Sequence, residues 1–167
     1  LGVHSFYQWR LEEKEKHRLR ESITPYFSPQ IMCLVLDHPE KLKLGGELRE
    51  VTVLFSDIRN FTTISEGLAP EKLTHLLQEY FTIMSEEILS RDGVLEKFIG
   101  DAIVAFWGAP FEQKDKANRA VKTALAMIAK LKVLQQKWLN EGYPFIDIGV
   151  GINTGVATVG HTGSAKR

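Results

Sequence analysis

The chain has few of the features that mark secreted, membrane-spanning or nucleic-acid-binding proteins. Cys33 is the sole cysteine among 167 residues, so no disulfide can form within the chain, which fits a reducing compartment. Lys plus Arg and Asp plus Glu both total 21, so the chain lacks the basic field that attracts nucleic acid. No apolar run approaches the roughly 20 residues that cross a bilayer. With 44% hydrophobic and 25% charged residues, the composition is that of a globular domain.

The first 46 residues read as a helical lead-in segment. Residues 10–21 are dominated by charges of both signs at helical spacing, which predicts a solvated helix. Residues 30–36 are apolar and predict a second short helix, and residues 41–50 read as a linker. The first nine residues are either an ordinary linker, which we favour, or the cytosolic end of a membrane helix, since aromatic and basic residues gather there.

The pattern from residue 47 onward is regular and predicts one α+β domain over 47–167. Alternating and continuous apolar runs predict strands at 51–55, 94–99, 102–107 and 146–153, with a further strand at 156–159. Helices are predicted from Pro70 and over 115–140, the second with these residues facing inward: Ala117, Ala120, Val121, Ala124, Leu125, Ile128, Leu131 and Leu134. The order is that of the ferredoxin-like β-α-β-β-α-β palm, an antiparallel sheet with helices on one face.

Two acidic residues stand at the tips of predicted strands. Asp57 follows the first strand, and Asp101 lies in the Gly100-Asp101 turn of the hairpin. The first strand and the hairpin are neighbours in a ferredoxin-like sheet, so we expect the two carboxylates to meet although they are far apart in sequence. Paired carboxylates can hold hard divalent cations, and two such cations facing a phosphate indicate phosphoryl or nucleotidyl transfer.

Three segments together resemble the catalytic domain of class III nucleotidyl cyclases. They are residues 55–62 (FSDIRNFT), 95–102 (LEKFIGDA) and 149–155 (GVGINTG), in the order and with the spacing of that family. The likeness runs from about residue 47 to the last residue. Segments upstream, at 26–29 and 42–47, also resemble the lead-in of bacterial members that carry a membrane or sensor module before a cytoplasmic cyclase.

The resemblance implies a set of roles for particular residues. Asp57 and Asp101 match the two metal-binding aspartates, and the backbone carbonyl of Ile58 matches a further ligand of the two Mg²⁺ or Mn²⁺ ions. Lys97 stands where the family places a base-reading side chain, and a lysine there resembles adenylyl cyclases rather than guanylyl cyclases. The implied reaction converts ATP to cyclic AMP and pyrophosphate, for intracellular signalling.

The loop after Asp57 is predicted to face the phosphates. Its backbone N–H groups, around Asn60, Phe61 and Thr62, suit phosphate oxygens. Asn60 stands where many members have glycine, and asparagine tolerates positive φ better than most residues. Gly149, Gly151 and Gly155 read as glycines that permit close approach of chains rather than as a dinucleotide-binding fingerprint.

Members of this family complete each site across a homodimer interface, and further base-reading and transition-state residues would follow Arg167. We therefore expect an incomplete catalytic domain that does not turn over by itself. Two alternatives stay open. A diguanylate-cyclase-like or polymerase-palm enzyme shares the core, although the turn here lacks the paired glycines of the diguanylate enzymes. A non-catalytic nucleotide-binding or dimerisation module shares the fold, although both aspartates are present.

Overall fold

The computed structural model describes residues 26–38 and 46–160, and the predicted charged helix at 10–21 and His161 lie outside these ranges. The elements in chain order are α1 (Pro29–Asp37), β1 (Glu47–Ile58), α2 (Phe61–Glu66), α3 (Pro70–Leu89), β2 (Val94–Ile99), β3 (Ala102–Trp107), α4 (Lys116–Asn140) and β4 (Ile148–Val159). In this part of the chain, no helix is long and apolar enough to cross a membrane.

The four strands form one antiparallel sheet in the order β2-β3-β1-β4. This is the predicted ferredoxin-like α+β arrangement, and β1 is a central strand as its apolar run indicated. Residues 94–99 and 102–107 form the predicted hairpin, in which Gly100 adopts φ 63°, a conformation that glycine adopts without steric cost. The sheet therefore places the end of β1 beside the turn that carries Asp101.

Helices α3 and α4 cover one face of the sheet. The core between them contains Leu54 from β1, Trp107 from β3, Tyr80 from α3 and Trp138 from α4, all fully buried. Pro70 begins α3 as expected, because its fixed φ suits the first helical position and its missing N–H costs no bond there. The alternation of β1 places Leu54, Ser56 and Ile58 on this covered face.

Strand β2 contains an irregularity that decides which faces of the sheet Lys97 and Phe98 occupy. Leu95 pairs with Ala105, but Lys97 pairs with Val104, so the register shifts by one residue between them. Without this bulge Lys97 would lie opposite Ile103, which faces the core. The extra residue turns Lys97 to the opposite face and places Phe98 across from Ile103.

Helix α1 packs on the other face of the sheet. Its buried residues Ile31 and Val35 contact Val94, and Phe106 and Phe111 pack against this small cluster. Ser28 caps the helix by accepting from the amide of Ile31, as in a typical N-cap. Among the described residues, α1 therefore covers one end of this second face, and the end that carries Phe55 is open, with Phe55 54% exposed.

Several sequence-based predictions are wrong in detail. On α4, Ala117, Val121, Leu125 and Ile128 are exposed, because the helix rests on one sheet face and buries only a narrow stripe. The supposed strands at 146–153 and 156–159 are one continuous strand, β4, paired with β1 along its whole length. The end of the supposed linker at 41–50 belongs to β1, which begins at Glu47.

Candidate active site

The carboxyl groups of Asp57 and Asp101 lie together where β1 meets the hairpin turn. The amide of Ile58, the residue after Asp57, donates a hydrogen bond to Asp101 Oδ2 over 3.0 Å, which places the Asp101 carboxyl beside the end of β1. Burial raises the pKa of Asp101, and the hydrogen bond with Asp57 and its negative charge raise it further, against the lowering effect of the Ile58 amide. Two carboxylates thus face each other at the surface.

The composition of this pair fits a divalent cation. Both groups offer only oxygen, the ligand that Mg²⁺ and Mn²⁺ prefer, and a cation between them would offset their mutual repulsion. The described residues contain no cluster of three or more His, Cys, Asp or Glu side chains that could hold a metal ion. The two aspartates would therefore need a backbone oxygen, water or substrate to complete a coordination shell, and the carbonyl of Ile58 remains the predicted backbone ligand.

A buried pair of hydroxyl groups supports the strand beneath the aspartates. Ser56 Oγ lies 3.1 Å from Tyr80 Oη, and both residues are almost wholly buried. Burial raises the pKa of Tyr80 to about 12, and the negative charges of Asp101 and Asp57 act in the same direction, so Tyr80 stays neutral at physiological pH. This hydrogen bond links the end of β1 to α3.

Sequence reasoning missed this pair, although a signal was present. Ser56 alternates with Asp57 on β1, so it had to face the core, and a buried hydroxyl requires a hydrogen-bond partner. By its spacing, Tyr80 belongs to the apolar stripe of α3, and that assignment leaves its hydroxyl group out of account. Its hydroxyl could have been identified as that partner, since α3 packs across β1.

The loop after Asp57 is short and leads into the helix α2, which the sequence pattern did not predict. Asn60 adopts φ 57° and ψ 31°, the left-handed conformation that asparagine was expected to tolerate. It precedes the short helix α2, which contains Phe61 and Thr62 near its start. Two residues separate Asn60 from Asp57, and contact of Asn60, Phe61 and Thr62 with phosphate remains a prediction.

Lys97 does not converge with the two aspartates in this chain. It lies on β2, and Asp57 lies two strands away on β1, a lateral separation of about 10 Å from strand spacing alone. Its ammonium group is 2.9 Å from Glu96 Oε1, and its side chain is 56% exposed. The bulge nevertheless directs Lys97 to the same open face as Asp57, since Lys97, Val104 and Phe55 stand in one row across the sheet.

The exposed histidine on α3, His75, does not belong to the aspartate pair. His75 is exposed on α3 and lines a shallow groove with Glu79 and Lys137, on the side of the molecule where α3 meets α4. Burial acts against ionisation of Glu79, but hydrogen bonds from Lys137 and Trp138 lower its pKa overall. The contacts of Glu79 with Lys137 and Trp138 tie α3 to α4, and His75 lies at the surface beside them.

The fold is an α+β palm with two aspartates at the junction of β1 and the hairpin. The model of the adenylate and guanylate cyclase catalytic domain matches residues 46–167. The chain belongs to that family, the class III nucleotidyl cyclases.

Individual relatives agree with this assignment. Adenylate cyclase 1 of Rhizobium meliloti is 40% identical over 119 residues, which cover 71% of this chain and 18% of that protein. The crystal structure of the adenylyl cyclase CyaB from P. aeruginosa is 42% identical with a TM-score of 0.71, covering 74% of this chain and 65% of that one. The guanylyl cyclase Cya2 is 41% identical with a TM-score of 0.71, covering 74% and 63%. The chain thus spans only a minor part of its curated relative and less than two thirds of either solved structure.

Proposed function

We propose that this domain is the catalytic domain of an adenylyl cyclase, which converts ATP to cyclic AMP and pyrophosphate. The observation that carries the proposal is the meeting of the Asp57 and Asp101 carboxyl groups at the tips of two neighbouring structural elements. Divalent cations bound there would acidify the ribose 3′-hydroxyl for attack on the α-phosphorus and offset charge on the leaving pyrophosphate.

The protein's own contribution is to position these carboxylates. The Ile58 amide orients the Asp101 carboxyl, and the Ser56–Tyr80 bond fixes the strand that carries Asp57. A carboxylate presented on a rigid strand keeps its geometry without paying for reorganisation during the reaction. Backbone groups of Asn60, Phe61 and Thr62 would bind the triphosphate next to the metal ions.

The preference for adenine rests on Lys97. A lysine can donate a hydrogen bond to a ring acceptor of adenine, whereas the family uses glutamate in guanylyl cyclases. Overall similarity does not decide the substrate, because the adenylyl cyclase CyaB and the guanylyl cyclase Cya2 are 42% and 41% identical to this chain. Lys97 is therefore the residue on which the choice of ATP depends.

The separation of Lys97 from Asp57 supports a homodimer with shared sites. Each chain presents both residues on one open face, about 10 Å apart across the sheet, and the Lys97 ammonium group contacts Glu96. A second copy facing this surface would bring its Lys97 to the aspartates of the first. The exposed apolar residues Phe55 and Ile99 on the same face suit such an interface.

Metal-dependent nucleotide binding tests the proposal on this chain. A non-cyclisable ATP analogue should bind in the presence of Mn²⁺, and Asp57→Ala should weaken that binding by about a hundredfold, since the cation anchors the triphosphate. Glu112→Ala, which removes an exposed acid far from the site, is the control. Binding that is indifferent to Mn²⁺ or to Asp57→Ala would refute the metal site.

The base preference has its own test. In a protein that contains the complete catalytic domain, Lys97→Glu should lower the preference for ATP over GTP analogues, because the carboxylate accepts where lysine donates. Unchanged selectivity would show that Lys97 does not read the base. Nucleotide binding without any cyclic product from the complete protein would favour the alternative of a non-catalytic nucleotide-binding module.

A further inference from the structure

Arg59 is tied to β4 by both its main chain and its side chain. Its amide donates to the carbonyl oxygen of Asp147 over 2.9 Å, and its Nε lies 3.6 Å from Asp147 Oδ2. Asp147 is itself held in place, since its Oδ1 accepts from the amide of Ile148 over 2.9 Å. The side chain of Arg59 therefore crosses from the end of β1 toward the start of β4.

This crossing places the guanidinium group beside the candidate metal site. Gly149 stands directly opposite Asp57 in the β1–β4 pairing. Residues directly opposite in an antiparallel pair point to the same face, with Cβ atoms about 4.5–5.5 Å apart. A Cβ atom on Gly149 would lie 3.7 Å from Nη2 and 3.8 Å from Cζ of Arg59. The guanidinium thus lies in van der Waals contact with the position of that Cβ, on the same face as Asp57.

The present partner of Arg59 holds it weakly. The Nε to Oδ2 distance exceeds that of a good hydrogen bond, and the two side chains are 64% and 54% exposed. Exposed ion pairs of this kind contribute little, because solvent screens them. In the part of the chain that the structure describes, no hydrogen bond engages Nη1 or Nη2 of Arg59. Its two terminal nitrogens are available to a ligand at little cost.

We propose that Arg59 is a polyphosphate-binding residue of this site, which exchanges Asp147 for triphosphate oxygens when a nucleotide binds. The inference rests on the proposed function, because the aspartates and their cations must first bring a triphosphate to this edge of the sheet. A guanidinium forms paired, charge-assisted hydrogen bonds with phosphate oxygens that are shorter and stronger than its contact with Asp147. A side chain that extends well beyond Cβ at position 149 would compete with the guanidinium for this space.

Binding of inorganic triphosphate to the full chain in Mn²⁺, followed by calorimetry, tests Arg59 without any contribution from the base. Arg59→Ala should weaken this binding roughly ten- to thirtyfold, the effect of losing a hydrogen bond to a charged group. Arg59→Lys should recover part of the loss, because it keeps the charge and loses the paired geometry. Arg49→Ala is the matched control, since Arg49 pairs with Glu47 at the far end of the same strand.

Binding of Mn²⁺ alone separates a ligand role from a structural one. Arg59→Ala removes a positive charge beside Asp57, so it should leave the Mn²⁺ affinity unchanged or increase it. If the substitution instead distorted the site, Mn²⁺ would bind more weakly. Asp147→Asn should keep or strengthen triphosphate binding, since it releases Arg59 and preserves the acceptor for Ile148. Gly149→Leu should weaken triphosphate binding, because its side chain would displace the guanidinium.

The possible results distinguish the two proposals. Triphosphate binding that falls in Asp57→Ala and stays intact in Arg59→Ala would overturn the role of Arg59 and leave the metal site standing. Parallel losses of Mn²⁺ and triphosphate affinity in Arg59→Ala would assign Arg59 a structural role and also overturn the inference. If the unaltered chain binds no triphosphate in Mn²⁺, both the proposed function and the role of Arg59 fail.

Discussion

The two faces of strand β1 have opposite chemistry. On the face covered by α3 and α4, Leu54, Ser56 and Ile58 are buried, and the one polar group among them is paired with Tyr80. On the other face, Phe55 and Asp57 are exposed, and no helix within residues 26–38 and 46–160 covers them. The covered face contributes to the core and the open face carries residues of the proposed site, so adjacent residues of one strand should respond differently to substitution.

The largest contrast should appear between two aromatic residues of the sheet. Trp107 is fully buried and donates its indole N–H to the carbonyl of Arg91, whereas Phe55 is 54% exposed. Trp107→Ala should lower the free energy of unfolding by about 3–5 kcal/mol, through lost burial and a cavity. Phe55→Ala should change it by about 0.5 kcal/mol or less. Urea denaturation measures both, and similar losses would show that the open face is part of the folding core.

Helix α4 allows the same comparison within one element. Leu131 is 2% exposed and belongs to the main core, whereas Leu125 is 63% exposed. Leu131→Ala should cost about 2–5 kcal/mol of unfolding free energy, and Leu125→Ala about 0.5 kcal/mol or less. The pair is matched in side chain and helix, so only burial differs. A large loss for Leu125→Ala would restore the original assignment of Leu125 to the inward face.

Asp101→Asn should have a smaller effect than either core substitution, and it should be stabilising. The substitution keeps an acceptor for the Ile58 amide and removes the repulsion from Asp57, so we expect a gain of about 1 kcal/mol at neutral pH, roughly 2–4 °C in Tm. The pKa of Asp101 is raised above its ordinary 3.8, so folding favours its protonated form. The gain should therefore vanish below pH 3.8 and grow as the pH rises through the folded-state pKa.

Mn²⁺ should make the unaltered chain more stable than the Asp101→Asn variant. The unaltered chain should gain thermal stability from the cation, because a ligand that binds only the folded state stabilises it. The Asp101→Asn variant should gain less, since it has lost a charged ligand. Thermal unfolding at pH 7 with and without Mn²⁺ measures both effects. An Asp101→Asn variant that is less stable than the unaltered chain in metal-free buffer would show that the two carboxylates do not repel each other in the folded state.

The parts of the fold that depend on local pattern could be read from the sequence. The hairpin at 94–107 and the start of α3 at Pro70 follow from turn chemistry and the fixed φ of proline. The meeting of Asp57 and Asp101 followed from the order of the elements, because a ferredoxin-like sheet places β1 beside the hairpin. The limits of β1 and the continuity of β4 did not follow, since pairing along twelve residues overrides the glycines that suggested a break.

The sequence by itself determined the order of the predicted elements and the two acidic strand tips, because periodicity and turn residues act over a few neighbouring positions. The resemblance to the family rested on the three motifs at 55–62, 95–102 and 149–155. Only the tertiary structure decided the contacts that join distant segments. These include the bulge that turns Lys97 to the open face, the Ser56–Tyr80 bond and the placement of Arg59 over Gly149. Each depends on which strand or helix lies opposite, and long-range packing selects that partner after the local pattern is satisfied.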